Sequence, residues 1–395
     1  MAVPHQFVVI GASFAGLTIT HGLLRDILPT LSNGNGQSYK VILINPTEEF
    51  LWKVGVPRVL VKPAVLPLEK ALLPIQPAFE RYGPQQLEFV KAYATRIDPA
   101  SRTIQLSTND AVRYDSLVIC SGTNASTNIW STTPGSDALR VAIQNIHDKL
   151  PDAQTVLVAG GGPAGVETAG ELGEVYGGQK DIMLLSGTTN LLNSLNNKKI
   201  GQDAEHMLKN MGVRVIHNVR VSSHEAKGEQ ELVRLSNGET KTVDVYIEAV
   251  GDKPNSSFVP IEWRDKTGRV KCDPQTLRLN VAGVASVYCY GAVGSYSDGS
   301  VLDIAFGKRA ILESIKLDLE GHGKCPFASP QTRLTMRRTG PSHEQRVQEE
   351  YERLASRSNR LHARGRRSFW MEVTQLFHQD GKEQGLHDWQ CRQVS

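Results

Sequence analysis

Residues 155–171 read Thr-Val-Leu-Val-Ala-Gly-Gly-Gly-Pro-Ala-Gly-Val-Glu-Thr-Ala-Gly-Glu: a short apolar run, a turn spaced Gly160-x-Gly162-x-x-Gly165, then a helical pattern. Each glycine meets a physical need of a dinucleotide-binding fold. Gly160 allows a tight turn out of a buried strand, Gly162 lets the backbone approach a pyrophosphate, and Gly165 lets the helix pack closely. The free amides of the helix N-terminus face the phosphates. The same order occurs at residues 7–17, Phe-Val-Val-Ile-Gly-Ala-Ser-Phe-Ala-Gly-Leu, with Gly11, Ser13 and Gly16 at the turn and a helix expected to about Leu28. One fingerprint also fits a purely structural strand-turn-helix. Two complete units about 150 residues apart are hard to produce by chance and point to two nucleotide folds in one α/β chain.

Weaker signals lie between and after these units. The run ending at Ile44 reaches Asn45, where such folds place an acid for the ribose hydroxyls, and an amide can still hydrogen-bond there. Asp115 to Cys120 reads as a buried strand closing in Ser121, Gly122 and Thr123, and Val243 to Val250 leads into Gly251, Asp252, Lys253, Pro254 and Asn255. A strand ending in a glycine turn at the carboxyl edge of an open sheet borders a ligand, though each of these alone also fits an ordinary surface turn. After Ile182 to Leu185 come a helix over Ile200 to Met211 and strands near Val213 to His217, Val219 to Ser223, Glu231 to Leu235 and Thr242 to Ile247. That succession suggests an antiparallel excursion from the second fold.

Composition removes several classes. At 395 residues, 40% hydrophobic and 22% charged, the chain exceeds a single core and is expected to form two domains and a tail. A net charge of +3 gives no reason to expect a nucleic-acid partner. The five cysteines, Cys120, Cys272, Cys289, Cys325 and Cys391, include no C-x-x-C pair, so neither a zinc ribbon nor a dithiol centre is expected, and no metal site. No run approaches the ~18 apolar residues that span a bilayer. The first residues carry neither an apolar leader nor an arginine-rich presequence, so the expected address is the cytoplasm, with any membrane contact peripheral.

The order of the four glycine signals, with Asn45-Pro-Thr-Glu-Glu-Phe-Leu-Trp, Pro57-Arg58 and the lack of a dithiol, resembles the pyridine nucleotide-disulfide oxidoreductase superfamily. Within it, the chain looks most like the group of apoptosis-inducing-factor-like (AMID) proteins, ferroptosis-suppressor-type quinone reductases and type II NADH dehydrogenases. The resemblance covers about residues 5–320. It implies an FAD domain over 1–150 and 256–323 with an NAD(P)H domain inserted over 151–255; residues 324–395 lie beyond it and read as a basic tail. It implies FAD contacts at Gly11, Ser13, Gly16, Asn45, Arg58, Ala94, Gly122, Gly291 and Ala292, and NAD(P)H contacts at Gly160, Gly162, Gly165, Glu167, Ser186 and Gly251. The implied activity is hydride transfer from NADH or NADPH to FAD and on to a small acceptor, a quinone in that group.

Such transfer needs the nicotinamide against the flavin with water excluded, so the protein positions and tunes while the cofactors react. Glu167 is the candidate catalytic residue, near the nicotinamide by resemblance; as a first-turn acid it equally suits the helix dipole. Glu171, one turn on and on the same face, reads as structural. The strand Ile182-Met-Leu-Leu ends at Ser186 rather than an acid, which admits NADPH, although no arginine follows closely to hold its 2′-phosphate. At Tyr290-Gly291-Ala292 the family pattern has Gly-Asp. The missing charge-assisted hydrogen bond would cost roughly 1.5–3 kcal/mol, leaving FAD loosely held.

The tail is distinctive. From Arg333 to Arg367 there are ten arginines against four glutamates, with a capping box at Ser342-x-x-Gln345 and an amphipathic helix expected through Val347, Tyr351, Leu354 and Leu361. Ala292 and this tail also fit a regulatory protein that binds NAD(P)H without turnover, and a flavoenzyme acting on a dedicated biosynthetic metabolite stays open as a third reading.

Overall fold

The computed structural model describes residues 3–195 and 198–321; the expected tail helix lies outside them. Within the described residues the chain divides into one unit drawn from residues 3–45, 76–122 and 254–321, and a second from 46–75, 123–195 and 198–253.

The first unit is built on a five-stranded parallel sheet in the order Val287–Cys289, Ser116–Ile119, His5–Ile10, Tyr39–Asn45, Leu87–Lys91. Its inner strands are continuous apolar runs, as a sheet covered on both faces requires. Phe7, Val8, Val9, Val41, Leu43, Leu117, Val118 and Ile119 are all fully buried. Each such side chain contributes about 1.5–3 kcal/mol relative to exposure. The helix Phe14–Gly22 follows the first strand and continues through a π-helical stretch, Leu23–Ile27, into Leu28–Asn35, seven residues beyond the expected end at Leu28. Gly22 is where the helix Val301–Leu319 crosses it: a Cβ there would fall 2.9 Å from both Leu312 methyls. A three-stranded antiparallel sheet, Ala94–Asp98, Thr103–Leu106 and Ala111–Arg113, also belongs to this unit.

The second unit repeats the plan. Its parallel sheet runs Val213–His217, Asp181–Ser186, Thr155–Ala159, Val245–Glu248, with the helix Pro163–Tyr176 after the strand Thr155–Ala159. The antiparallel excursion is Val221–Lys227, Gln230–Leu235 and Thr240–Val243. A single strand was expected over Thr242 to Ile247, and the chain instead breaks at Asp244. One carboxylate oxygen there accepts from Gln154 N (2.9 Å), Thr155 N (2.9 Å) and Thr155 Oγ1 (2.8 Å), and the other from Gln230 Nε2 (2.7 Å). These donors hold its pKa far below the ordinary value and clamp the corner where one strand leaves the side sheet and the next enters the main one.

The units also cut the chain differently from the expected boundaries. Residues 46–75 and 123–150 pack with the second fold because their apolar side chains share its core. Val56, Val59, Leu60, Trp130, Leu139 and Ile143 are buried in one cluster with Val156, Val158, Ala169 and Leu172. Among the described residues, no helix is long and apolar enough to cross a membrane.

Candidate nucleotide sites

In the first unit, the strand His5–Ile10 ends in Gly11 at φ +102°, left-handed backbone that disfavours a side chain; a Cβ there would lie 2.5 Å from the Cys120 carbonyl oxygen. Gly16 packs so closely that a Cβ would overlap the Gly11 carbonyl oxygen. Ser13 caps the following helix in extended conformation without a side-chain capping bond. Asn45 Oδ1 accepts from Ala12 N at 2.9 Å, so the amide expected beside a ribose pins the glycine loop.

Two further turns meet there. Gly122, at φ +64°, has open space where a side chain would be, and its carbonyl accepts from Asn255 N at 3.0 Å. Ser121 Oγ donates to the Asn255 carbonyl at 2.6 Å, joining two turns that lie 134 positions apart in sequence. Gly291, at φ +89°, sits against the nucleotide helix: a Cβ would fall 2.8 Å from that of Ala15, and Gly291 N donates to Tyr296 Oη at 2.9 Å. Gly11, Gly16 and Gly291 thus surround one helix N-terminus, a cradle that suits a pyrophosphate. Ala292 follows with no acid. Its carbonyl accepts from Arg269 Nη1 at 2.6 Å, and the same nitrogen reaches the Ser297 carbonyl at 2.9 Å. Arg269 was not singled out from the sequence. Ala94 opens an edge strand, half-buried against the core of this unit.

The second unit has the matching geometry. Gly160, at φ +133°, faces the Ala249 carbonyl oxygen too closely for any Cβ, and Gly165 packs against the Gly160 carbonyl oxygen in the same way. Gly162 caps the helix Pro163–Tyr176 with nothing within 4 Å of a Cβ position, an open approach to the first-turn amides. Gly251 likewise has open space around it. Ser186 is fully buried, its hydroxyl donating to Thr188 O at 3.0 Å.

Glu167 lies half-buried on that helix, its carboxyl pushed well above the ordinary range by burial and then by the charge of Glu171. Glu171 is 3% exposed and bonds Arg58 Nη2 (2.7 Å) and Lys62 Nζ (2.8 Å). Arg58, expected at the FAD site, is therefore in the second unit and held by a carboxylate. Lys53 is a residue that sequence reasoning missed: burial lowers its ammonium pKa, opposed by Asp252, which accepts from Thr123 Oγ1 at 2.6 Å. Cys272 and Cys289 share the first unit's core, where hydrogen bonding with Cys289 and then Ser295 draws Cys272 down to about 7 against the effect of burial, and burial raises Cys289.

The model of the pyridine nucleotide-disulphide oxidoreductase family matches residues 5–301. A relative named oxidoreductase ptaL, from Pestalotiopsis fici, is 32% identical over 83% of this chain and 87% of its own. Ferroptosis suppressor protein 1 of Taeniopygia guttata is 27% identical over 51% of this chain and 56% of its own. The solved structure of the sulfide:quinone oxidoreductase of Aquifex aeolicus shares the fold at TM-score 0.64 and 15% identity, over 80% of this chain and 77% of that one. The paired glycine cradles and the family match agree, and the chain belongs to the pyridine nucleotide-disulphide oxidoreductase family, as an oxidoreductase that uses FAD and NAD(P)H.

Proposed function

We propose that the chain takes a hydride from NAD(P)H onto FAD and passes the electrons to a small diffusible acceptor, with a quinone as the acceptor class. The observation that carries this reading is the pair of glycine cradles, each at a helix N-terminus on the carboxyl edge of a parallel sheet. In this reading, Gly11, Gly16, Gly122 and Gly291 shape the FAD site in the first unit, and Gly160, Gly162 and Gly165 shape the NAD(P)H site in the second. The flavin supplies the two-electron chemistry when bound.

A diffusible acceptor is favoured because the thiols that meet are shut away. Cys272 is 6% exposed and Cys289 fully buried, so no disulfide substrate reaches either sulfur. Glu167 is the residue to which we give a proton-handling role: burial and the neighbouring Glu171 favour its neutral form, a donor at the pH where ordinary carboxylates only accept. The proposed address is the cytoplasm, with membrane contact at most peripheral, and cell fractionation decides it.

The test is the visible spectrum of the purified chain with added FAD, followed anaerobically by NADPH or NADH and then a soluble quinone. Bleaching by the nucleotide and recovery on adding quinone is the expected result. A flavin that neither nucleotide reduces would overturn the reading, and a reduced flavin that quinone leaves unchanged would overturn the acceptor class.

A further inference from the structure

The end of the strand Asp181–Ser186 is where such folds read the adenosine ribose: a carboxylate there binds the free hydroxyls, and an arginine there binds a 2′-phosphate. The residues at this end are Ser186, Gly187, Thr188, Thr189 and Asn190, with no acid among them. The Ser186 hydroxyl is turned inward, 3.0 Å from Thr188 O and 3.2 Å from Thr188 Oγ1.

Arg220, 33 positions beyond Gly187, lies across it. A Cβ on Gly187 would fall 2.9 Å from Arg220 Cγ and 2.7 Å from its Nε, so only glycine lets the arginine stem lie flat at this place. The segment carrying Arg220 is fastened to the strand end along its length. Asn218 N donates to Thr188 O at 3.3 Å, Val219 N to Ser186 O at 3.2 Å, and Arg220 N to Ser236 Oγ at 3.0 Å. Asn218 takes φ +58° to make that junction. The guanidinium itself makes only long contacts, Nε and Nη2 each 3.4 Å from Gly187 O. It is exposed and has no carboxylate in ion-pair range among the described residues. The acid on the neighbouring helix, Glu205, is occupied by His217 Nε2 (2.8 Å) and Lys209 Nζ (2.7 Å).

We propose that Arg220 binds the 2′-phosphate of NADPH and makes this chain select NADPH over NADH. A planar guanidinium with unspent donors matches a phosphate dianion in geometry and charge, whereas a ribose hydroxyl finds no carboxylate here. The inference rests on the second unit being the NAD(P)H site.

The test uses the full chain with FAD and measures binding of adenosine 2′,5′-bisphosphate and of 5′-AMP by calorimetry at low salt, a readout independent of turnover. Wild type should bind the bisphosphate about ten- to a hundredfold more tightly, as expected for a charge-assisted contact. Arg220→Ala should erase that preference with 5′-AMP affinity unchanged, and Gly187→Asp, which displaces the arginine and supplies an acid, should reverse it. Equal affinity of wild type for the two probes overturns the proposal while leaving the nucleotide site in place. Equal loss of both probes in Arg220→Ala also overturns it, in favour of a structural role. Binding of neither probe by wild type overturns the reading of the second unit and the proposal with it.

Discussion

Arg58 and Glu171 stand 113 positions apart in the chain and meet as a buried ion pair, with Nε and Nη2 converging on one carboxylate oxygen at 3.0 and 2.7 Å. Lys62 meets the second oxygen as an ion pair at 2.8 Å and also reaches Glu174. The pair fastens the helix Val56–Val61 to the helix Pro163–Tyr176. Removing one member of a buried pair strands the other, at about 3–5 kcal/mol. Glu171→Ala is expected near the low end of that range, about 3 kcal/mol, because Arg58 and Lys62 keep some access to water. Arg58→Ala should cost less, since Lys62 remains on the carboxylate. Urea unfolding measures both, and a loss under about 1 kcal/mol for Glu171→Ala would place the pair among the screened surface bridges.

The glycines of the second fingerprint should separate by consequence. Gly165→Ala places a methyl on the Gly160 carbonyl oxygen and should prevent the strand-turn-helix from closing, lowering the yield of folded protein. Gly162→Glu meets open space, so the chain should fold and retain flavin while NAD(P)H oxidation is abolished. Circular dichroism and flavin absorbance distinguish the two, and loss of flavin in Gly162→Glu would mean that the two cradles are assigned the wrong way round.

Ala292→Asp supplies an acceptor beside Gly291. FAD affinity is expected to rise about ten- to a hundredfold, the worth of a charge-assisted hydrogen bond. Fluorescence titration of apoprotein with FAD gives the number. An unchanged affinity would show that Arg269, bonded to the Ala292 carbonyl, captures the new carboxylate instead.

Glu167 should make stability depend on pH. Its folded pKa lies well above the ordinary 4.5, so the native state holds a proton that the unfolded state releases. Its contribution is fully present below about 4.5 and is lost as pH rises through the raised value. Glu167→Gln removes that loss, and the variant's stability relative to wild type should grow with pH. Denaturant unfolding at several pH values checks this; parallel profiles would mean that the carboxyl is solvated and ionised.

Both folds were legible because their signal is local. Gly11 and Gly160 each end a strand, and Gly16 and Gly165 each begin a helix, within a dozen residues, so spacing alone carries the geometry. The setting of Arg58 was not legible, for the opposite reason. Its partner Glu171 comes from a distant helix, and a motif cannot show which core a short connecting helix joins. Arg220 gives no local signal after Ser186, because it reaches Gly187 from beyond the next strand, Val213–His217. The break at Asp244 was hidden by an unbroken run of strand-forming neighbours, and its cause, the donors at Gln154, Thr155 and Gln230, is tertiary.

The chain crosses between its two units at Asn45/Pro46, Ile75/Gln76, Gly122/Thr123 and Lys253/Pro254. The unit that begins first therefore finishes last. During synthesis the strands His5–Ile10, Tyr39–Asn45, Leu87–Lys91 and Ser116–Ile119 emerge early, yet the edge of Ser116–Ile119 waits for Val287–Cys289. The second unit is complete once Lys253 has left the ribosome, and domains generally fold as units in the order they are made. A chain ending between residues 253 and 287, once released from the ribosome, should already resist protease around the helix Pro163–Tyr176 while Ser116–Ile119 still lacks a neighbour and Gly291 of the FAD cradle is missing.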